Sequence, residues 1–365
     1  MKRIAICTPA ILNDDAVSND VFGMLDILKE NNFDARIFAE VILISNSMVE
    51  DIDRIDDFIK KSDDLLIYHL STGWFKGLDK LSKLNCIKIV KYHNITPPYF
   101  FNGFSSDYIE TCKGGREQLK TIANLNLDMY LNDSVFNMRE IISEGADASR
   151  CHVLPPFNNI YKIKKIEPDL DILNKYNDGK VNILSIGRIV PNKGFERLIE
   201  AFAYYHNNYN TESRLIIIGE MHPLLLSYVE YLKNKINFFN IEDCIILTGK
   251  VDNRELKSYL LISKIFALTS YHEGFCVPLV EAMNMKIPVV TYGSTAVIDT
   301  VSSGGIVWED IDNILFAATF DEIVSSEESY FYLGEAGHRR YINNFDNKKI
   351  KAKFLDLIGK LLWKK

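Results

Sequence analysis

Short apolar, β-rich runs alternate with longer segments of helical period along this chain, and that alternation is what most limits its possible folds. Such alternation is typical of parallel sheets with helices on both faces. The pattern runs through the first half, stops at Pro155-Pro156 and restarts at Val181. Proline removes a ladder donor and restricts the residue before it. We therefore predict an α/β chain with two doubly wound, parallel-sheet domains.

The predicted strands are short, as expected for buried parallel strands. They are Arg3–Cys7, Ala35–Ala39, Leu65–Tyr68, Lys88–Tyr92, Met129–Leu131 and His152–Leu154, then Val181–Ile186, Leu215–Ile218, Ile245–Leu247, Ile265–Leu268, Pro288–Val290 and Gly304–Val307. We predict a first domain over residues 1–162 and a second over 163–345. Ligands of open parallel sheets bind beyond the carboxyl ends of the strands, so the loops after strands are the places to search for chemistry.

The overall charge and the cysteines narrow the choice of partners and compartment. A net charge of −7 argues against nucleic acid as the main partner, since phosphate backbones are bound through a basic surplus. The six cysteines lie far apart, with no pair at metal-ligand or redox spacing. The apolar start, Met1–Leu12, is too short for a signal peptide and contains Pro9, so it is read as the first strand. These features predict a cytoplasmic protein.

The segment 346–365 carries several lysines among apolar residues, and two interpretations of it remain open. A basic amphipathic helix can lie on anionic lipid, here the inner face of the plasma membrane, as a peripheral contact. Alternatively, it is a closing helix that packs back on the first domain with its lysines in solvent. The second interpretation is favoured, because a basic amphipathic pattern alone is common.

The most informative segment follows the predicted strand Ile265–Leu268 and contains Glu273 and Glu281. Pro278 suits the first turn of a helix, which places Glu281 within its first turns. The backbone amides that lead into this helix form an anion site at its positive end. They belong to Gly274, Phe275, Cys276 and Val277. An anion site between two carboxylates fits a diphosphate flanked by hydroxyl-bearing rings, although a lone Glu pair is more often a solvated residue and a helix-dipole partner.

A second segment follows the predicted strand Val181–Ile186 and contains Gly187, Arg188, Lys193 and Gly194. It lacks the second glycine and the Ser/Thr of a P-loop, which excludes that class of NTPase. The rigid fork of Arg188 and the mobile charge of Lys193 suit a departing diphosphate. Either cation alone would be read as an ordinary surface residue.

Together, the Glu-x7-Glu segment (Glu273 to Glu281) and the Gly-Arg…Lys-Gly loop resemble the retaining family 4 glycosyltransferases of GT-B fold. The resemblance covers about Val181 to Val307 and implies two Rossmann-like domains facing each other across a cleft, the first for the acceptor and the second for the nucleotide sugar. It implies that Glu281 binds the ribose, that Glu273 holds the donor sugar, and that Arg188 and Lys193 hold the phosphates. Two residues depart from the family pattern, Lys286 in place of a glycine and Asp299 in place of a glutamate.

In the first domain, His93 ends the predicted strand Lys88–Tyr92. Family members have a histidine at the end of an equivalent strand that contacts the transferred sugar, so the resemblance implies that role for His93. His69 is a weaker candidate of the same kind. The loop after the first strand lacks the Gly-Gly pair of many members. Either Ser18 or Asn19 supplies donors instead, or the acidic loop faces the acceptor. This loop and the Tyr-His-Asn-Ile-Thr-Pro-Pro segment look like a bacterial branch that builds surface polysaccharides.

Two Asp-x-Asp pairs, Asp51/Asp53 and Asp310/Asp312, are the candidates for a metal-assisted transferase. Neither follows a predicted strand among sugar-binding residues, and the first lies in an acidic run typical of a solvated helix face. We therefore expect no metal and no cofactor, with Arg188, Lys193 and the helix amides in place of a cation.

These features predict a retaining glycosyltransferase that moves a hexose from a nucleotide diphosphate sugar to a saccharide or lipid-linked acceptor in the synthesis of cell-surface polysaccharide. Two alternatives remain open, a sugar-nucleotide epimerase of the same fold and a non-catalytic partner subunit of a polysaccharide assembly complex. The donor base, the sugar, the acceptor and the linkage depend on side chains from several loops, and the sequence does not identify them.

Overall fold

The computed structural model describes residues 2–13, 15–44 and 48–362 and divides the chain into two compact units. Unit 1 consists of Met1–Pro98, Ile109–Asn159 and Asp346–Lys365. Unit 2 consists of Tyr99–Tyr108 and Ile160–Phe345. The chain therefore leaves unit 1 twice and returns to it for its last helix.

Unit 1 is built on a parallel sheet whose seven strands, within the described residues, lie in the order β3-β2-β1-β4-β5-β6-β7. The strands are β1 (Arg3–Ile11), β2 (Asp34–Ile42), β3 (Val49–Asp51), β4 (Leu65–Leu70), β5 (Ile87–Tyr92), β6 (Met129–Asn132) and β7 (Cys151–Val153). Every residue of β4 is buried, because helices cover both faces of the central strands.

Unit 2 is built on a second parallel sheet, whose six strands in the described chain follow the order β10-β9-β8-β11-β12-β13. The strands are β8 (Val181–Ile186), β9 (Ser213–Ile218), β10 (Ile245–Gly249), β11 (Ile265–Leu268), β12 (Val289–Tyr292) and β13 (Ile306–Trp308). In both sheets the strand order reverses direction beside the first strand, which creates a crevice at the carboxyl ends of β1 and β4 and of β8 and β11.

Helices connect the strands of both sheets. In unit 1 and its connections they are α1 (Ala16–Glu30), α2 (Ile55–Phe58), α3 (Phe75–Lys83), α4 (Ser106–Ala123) and α5 (Val135–Ser143). In unit 2 they are α6 (Ile160–Lys165), α7 (Leu170–Tyr176), α8 (Phe195–Asn208), α9 (Leu226–Phe239), α10 (Asn253–Ile262), α11 (Val277–Asn284), α12 (Val297–Val301), α13 (Asn313–Ser325) and α14 (Glu327–Asn344). The last helix, α15 (Asn347–Leu362), belongs to unit 1.

Each predicted strand overlaps a strand of the structure, and the predicted class of two parallel-sheet α/β domains is confirmed. The sequence reading missed β3, a three-residue strand on the edge of the first sheet. It also assigned the acidic run from Glu50 to a helix face. In the structure Glu50 and Asp51 lie in β3, and Asp51 then caps a short 3-10 turn.

The apolar face of α15 is buried in unit 1. Ile350, Phe354 and Leu357 join the core that contains β1, β2 and α1. The ring of Phe354 meets that of Phe157 edge to face at 6.1 Å. This packing agrees with the closing-helix interpretation of the C-terminal segment; the last three residues of that segment, 363–365, lie outside the described residues.

Candidate active site

The loop after β8 folds back on itself at the carboxyl edge of the second sheet. The amide of Gly187 donates to the carbonyl of Ile218 at 2.9 Å, which fixes the end of β8 against β9. The Lys193 side chain covers Gly187, since a Cβ on that glycine would lie 3.2 Å from Lys193 Cε. Gly194 adopts a left-handed backbone with φ 63° and leads directly into α8. Glycine thus supplies both the room for the lysine and the sharp turn.

The loop after β11 is bonded to this first loop. The ammonium of Lys193 lies 2.6 Å from Glu273 Oε1, and the two side chains are only 13% and 8% exposed. The backbone amide of Tyr271 donates to the Asn192 carbonyl at 2.9 Å, and Asn192 Nδ2 donates to the His272 carbonyl at 3.0 Å. Two segments 80 residues apart in sequence therefore form one polar cluster around a buried ion pair.

A third loop, after β12, fixes the backbone of Glu273. The hydroxyl of Thr295 accepts a hydrogen bond from the Glu273 amide at 2.8 Å and donates to the Glu273 carbonyl at 2.9 Å. Thr295 has φ 40°, an unusual conformation for a β-branched residue. Sequence reasoning missed Thr295, because the sequence marks it only as a residue in a loop after a strand. Many other residues have the same feature.

Between Glu273 and α11 the side chains turn inward. Phe275 and Cys276 are each 7% exposed and belong to the core of unit 2, and the ring of Phe275 meets that of Phe345 at 5.4 Å. Burial raises the pKa of the Cys276 thiol, so it stays protonated. Cys276 adopts a left-handed backbone in this loop, with φ 71°. The side chains of Phe275 and Cys276 thus anchor the loop.

Glu281 lies on α11 and is only 8% exposed. Removal from water disfavours the charged carboxylate and raises its pKa to about 7. A carboxyl group that the fold keeps buried at this energetic disadvantage indicates a functional position. Burial also argues against the interpretation of Glu281 as a surface residue that complements the helix dipole.

Arg188 follows Gly187 at the same sheet edge, but it is exposed. Within the described ranges it has no hydrogen-bond or ion-pair partner, unlike Lys193. The structure therefore brings Lys193, Gly187 and Glu273 together and leaves the Arg188 guanidinium available to a ligand. The two departures from the family pattern also lie in unit 2. Lys286 has φ 59°, a conformation that favours glycine, and Asp299 is an exposed residue of α12.

In unit 1, His93 lies just beyond β5 and is surrounded by polar groups. Its Nδ1 is 2.9 Å from Asp133 Oδ2, and its Nε2 is 2.8 Å from His69 Nδ1. The ammonium of Lys91 lies 2.5 Å from the other oxygen of Asp133. Asp20 approaches from α1, with Oδ2 3.8 Å from His93 Nε2. Of these partners, sequence reasoning named only His69. It gave no role to Lys91, although Lys91 is a charged residue inside an apolar strand.

Asp20, His69 and His93 are the one group in the described part of the chain whose ligand atoms lie close enough to suggest a metal site, all within 4.8 Å of one another. Lys91 opposes this, because its ammonium lies 4.0 Å from the same Asp20 oxygen and would repel a divalent cation. The two imidazoles also lie at hydrogen-bond distance from each other. The cluster fits a hydrogen bond between the two imidazoles better than a bound metal.

Comparison with known proteins finds one family model that matches the region of the second sheet. A model of the family described as "Glycosyl transferases group 1" matches residues 169–340. The match covers slightly less than half of the chain. The matched region contains Gly187, Lys193 and Glu273, the residues that the sheet edge gathers, and it contains Glu281 on α11. It also contains Arg188.

Curated relatives and solved structures extend the comparison. The amylovoran biosynthesis glycosyltransferase AmsD of Erwinia amylovora is 26% identical over 177 residues, which is 47% of this chain and 48% of AmsD. The mannosylfructose-phosphate synthase of Agrobacterium fabrum is 25% identical over 57% of this chain and 45% of its own. The chain thus spans about half the length of these curated relatives.

Among solved structures, Anabaena HepE in complex with UDP and glucose superposes with a TM-score of 0.75 at 16% identity, covering 99% of this chain and 100% of that one. Identity this low shows the fold alone. Together with the two parallel sheets, it confirms the GT-B fold that the family resemblance implied. No helix within the described residues is long and apolar enough to cross a membrane.

Proposed function

We propose that the chain is a retaining glycosyltransferase that transfers a hexose from a nucleotide diphosphate sugar to a saccharide or lipid-linked acceptor in cell-surface polysaccharide synthesis. The observation that carries the proposal is the buried Lys193–Glu273 pair at the carboxyl edge of the second sheet. The motif match over residues 169–340 supports the reaction class. The name of AmsD supports a polysaccharide product, and the ligands of HepE support a nucleotide sugar donor.

In this proposal the donor diphosphate meets positive groups from two neighbouring loops. Arg188, exposed and without a partner among the described residues, supplies a planar fork, and Lys193 supplies an ammonium that Glu273 holds in place. The backbone amides of Gly274–Val277 supply the positive end of α11. Charge that develops on the leaving diphosphate is stabilised by these preorganised groups, and no metal or cofactor is invoked.

The two carboxylates have different proposed roles. Glu281 accepts hydrogen bonds from the ribose hydroxyls, which replace water around a buried acid. Glu273 orients the donor sugar, and its backbone is held in place from behind by Thr295. The acceptor hydroxyl attacks from the face that the leaving group vacates, and its proton passes to the departing phosphate. His93 contributes the sugar contact that the family resemblance implies, and the proposed compartment is the cytoplasm.

The experiment is transfer and donor binding in Glu273→Gln and Arg188→Ala, with UDP, GDP and ADP compared by calorimetry. Glu328→Gln and Arg339→Ala are matched controls, since both residues are exposed on α14. We expect the two site variants to lose transfer and the controls to keep it. Full activity in both site variants would end the proposal. A sugar product formed without acceptor would favour the epimerase, and no nucleotide binding at all would favour the partner subunit.

A further inference from the structure

The cluster around His93 is built from four separate elements of unit 1 and is buried. Asp20 comes from α1, His69 from β4, Lys91 from β5, and Asp133 from the turn after β6. Asp20, His69 and Lys91 are 0% exposed and Asp133 is 4% exposed. His93 itself is the outermost member, with 6% of its side chain exposed. Burying this many ionisable groups is costly unless they pair, so their arrangement needs a reason.

The charges in the cluster pair in one consistent way. Burial by itself would raise the pKa of Asp133, but its ion pair with Lys91 and the hydrogen bonds from His93 and Lys91 outweigh it and lower that pKa. Asp133 is therefore a carboxylate that faces Lys91 on one oxygen and His93 on the other. The Lys91 ammonium also donates to the Leu154 carbonyl, so its position is fixed from two sides.

An ionised Asp133 can only accept hydrogen bonds, and this determines which ring nitrogen of His93 carries the hydrogen. The ring must carry its hydrogen on Nδ1, where it donates to Asp133 Oδ2 at 2.9 Å. Burial lowers the pKa of His69, and the nearby Lys91 charge adds to this effect, so His69 is a neutral imidazole. Its Nδ1–H then donates to His93 Nε2 at 2.8 Å. Burial raises the pKa of Asp20, the remaining acid, whose second oxygen accepts from the Phe157 amide.

We propose that Asp133, supported by Lys91, and His69 are positioning residues for His93, fixing both its ring orientation and its Nδ1–H tautomer at the end of β5. A histidine whose two nitrogens are both engaged presents a fixed edge instead of a mobile side chain. Carboxylates placed behind a functional histidine hold its tautomer in this way in other proteins. The inference rests on the proposed function, in which His93 contacts the transferred sugar.

The first test is spectroscopic and needs no substrate. In the full-length protein, ¹⁵N resonances of the imidazole rings, assigned to His93 with a His93→Gln variant, report which nitrogen carries the hydrogen. We expect the Nδ1–H form in the native protein and a shift towards the Nε2–H form in Asp133→Asn. An Nε2–H form in the native protein would overturn the proposal. So would resonances of His93 and His69 that move together when Zn²⁺ alone is added.

The second test is kinetic. Asp133→Asn keeps the shape of the side chain, and we expect kcat to fall about 10- to 100-fold, as for other partners behind functional histidines, with little change in the KM of the donor. Asp63→Asn, an exposed residue of the same unit, is the matched control. Unchanged kcat in a folded Asp133→Asn variant would refute the positioning role. If Asp133→Asn does not fold, Lys91→Arg serves instead and should keep the tautomer and most of the activity; a shift to the Nε2–H form in Lys91→Arg would refute the support assigned to Lys91.

The two failures are distinguishable. If no nucleotide sugar is used by the native protein, the proposed function fails, while the ring resonances still decide whether Asp133 fixes His93. If transfer is observed but the tautomer does not depend on Asp133, the proposed function stands and the positioning inference fails.

Discussion

Replacing Glu281 by glutamine should make the free protein more stable and the donor complex weaker. Glu281 is 8% exposed, and burial raises its pKa from 4.5 to about 7. Glutamine has nearly the same shape and carries no charge. The substitution therefore removes the cost of holding a carboxylate out of water and keeps the packing of α11.

The magnitude follows from the difference between the two pKa values. Each tenfold change in proton affinity corresponds to about 1.4 kcal/mol, so the charged form costs the folded state about 3 kcal/mol. The sign is set by the folded pKa lying above the unfolded one. Below pH 4.5 both states bind the proton and the cost is absent. It grows as the pH rises towards 7 and is constant above that.

The assay is thermal unfolding of wild type and Glu281→Gln without ligand at pH 5 and pH 8, with Glu328→Gln as the exposed control. For a unit of this size about 3 kcal/mol corresponds to roughly 6–12 °C. We expect a small difference at pH 5, where the cost is about 1 kcal/mol or less, and the larger one at pH 8. A gap between wild type and variant that does not widen with pH would refute the reasoning.

The same variant tests the proposed role of Glu281 in the opposite direction. An amide accepts hydrogen bonds from ribose hydroxyls less well than a carboxylate does, so calorimetry with UDP should show at least ~10-fold weaker binding. Gain of stability with loss of binding is typical of a residue kept for function. Unchanged binding would separate the burial of Glu281 from any part in donor recognition.

Three further substitutions test the backbone and the ion pair. Gly219→Ala should lower stability by about 2–4 kcal/mol in urea unfolding, because a Cβ there would lie 1.8 Å from the Gly187 carbonyl oxygen; a stability equal to wild type would contradict that contact. Lys286→Gly should be about 1 kcal/mol more stable than Lys286→Ala in the same assay, since only glycine relieves the left-handed backbone at φ 59°, and equal stabilities would refute the strain. Lys193→Met should lower the melting temperature by leaving Glu273 buried without its cation, and adding Glu273→Gln should restore stability but not UDP binding; additive losses would contradict the pairing.

The positions of the strands were predictable, because a buried parallel strand is a continuous apolar run that few other structures produce. The strand β3 was not, since Val49–Asp51 is three residues long and two of them are acidic. The loops that gather Lys193 and Glu273 follow from the rule that ligands bind at the carboxyl ends of parallel strands. The direct contact between Lys193 and Glu273 depends on which strands are neighbours in the sheet. Neither sequence segment alone indicates that strand order.

The polar groups that support the site were the least predictable part. Thr295 and Asp133 act through hydrogen bonds to residues 22 and 40 positions away, and no local pattern marks such a pair. Lys91 was visible as a cation within an apolar strand. Assigning it a role required the register of β5 with its neighbours and the location of Asp133.

The return of α15 to unit 1 has a consequence for synthesis. Residues 160–345 separate the strands of unit 1 from α15, the helix that completes the core of that unit. In α15, Phe354 and Leu357 pack beside β1 and α1. As the chain emerges from the ribosome, the apolar surface that these residues cover stays open until α15 has been translated. The second sheet has all its strands by then, so unit 1, although most of it is made first, is the unit that waits for its last helix.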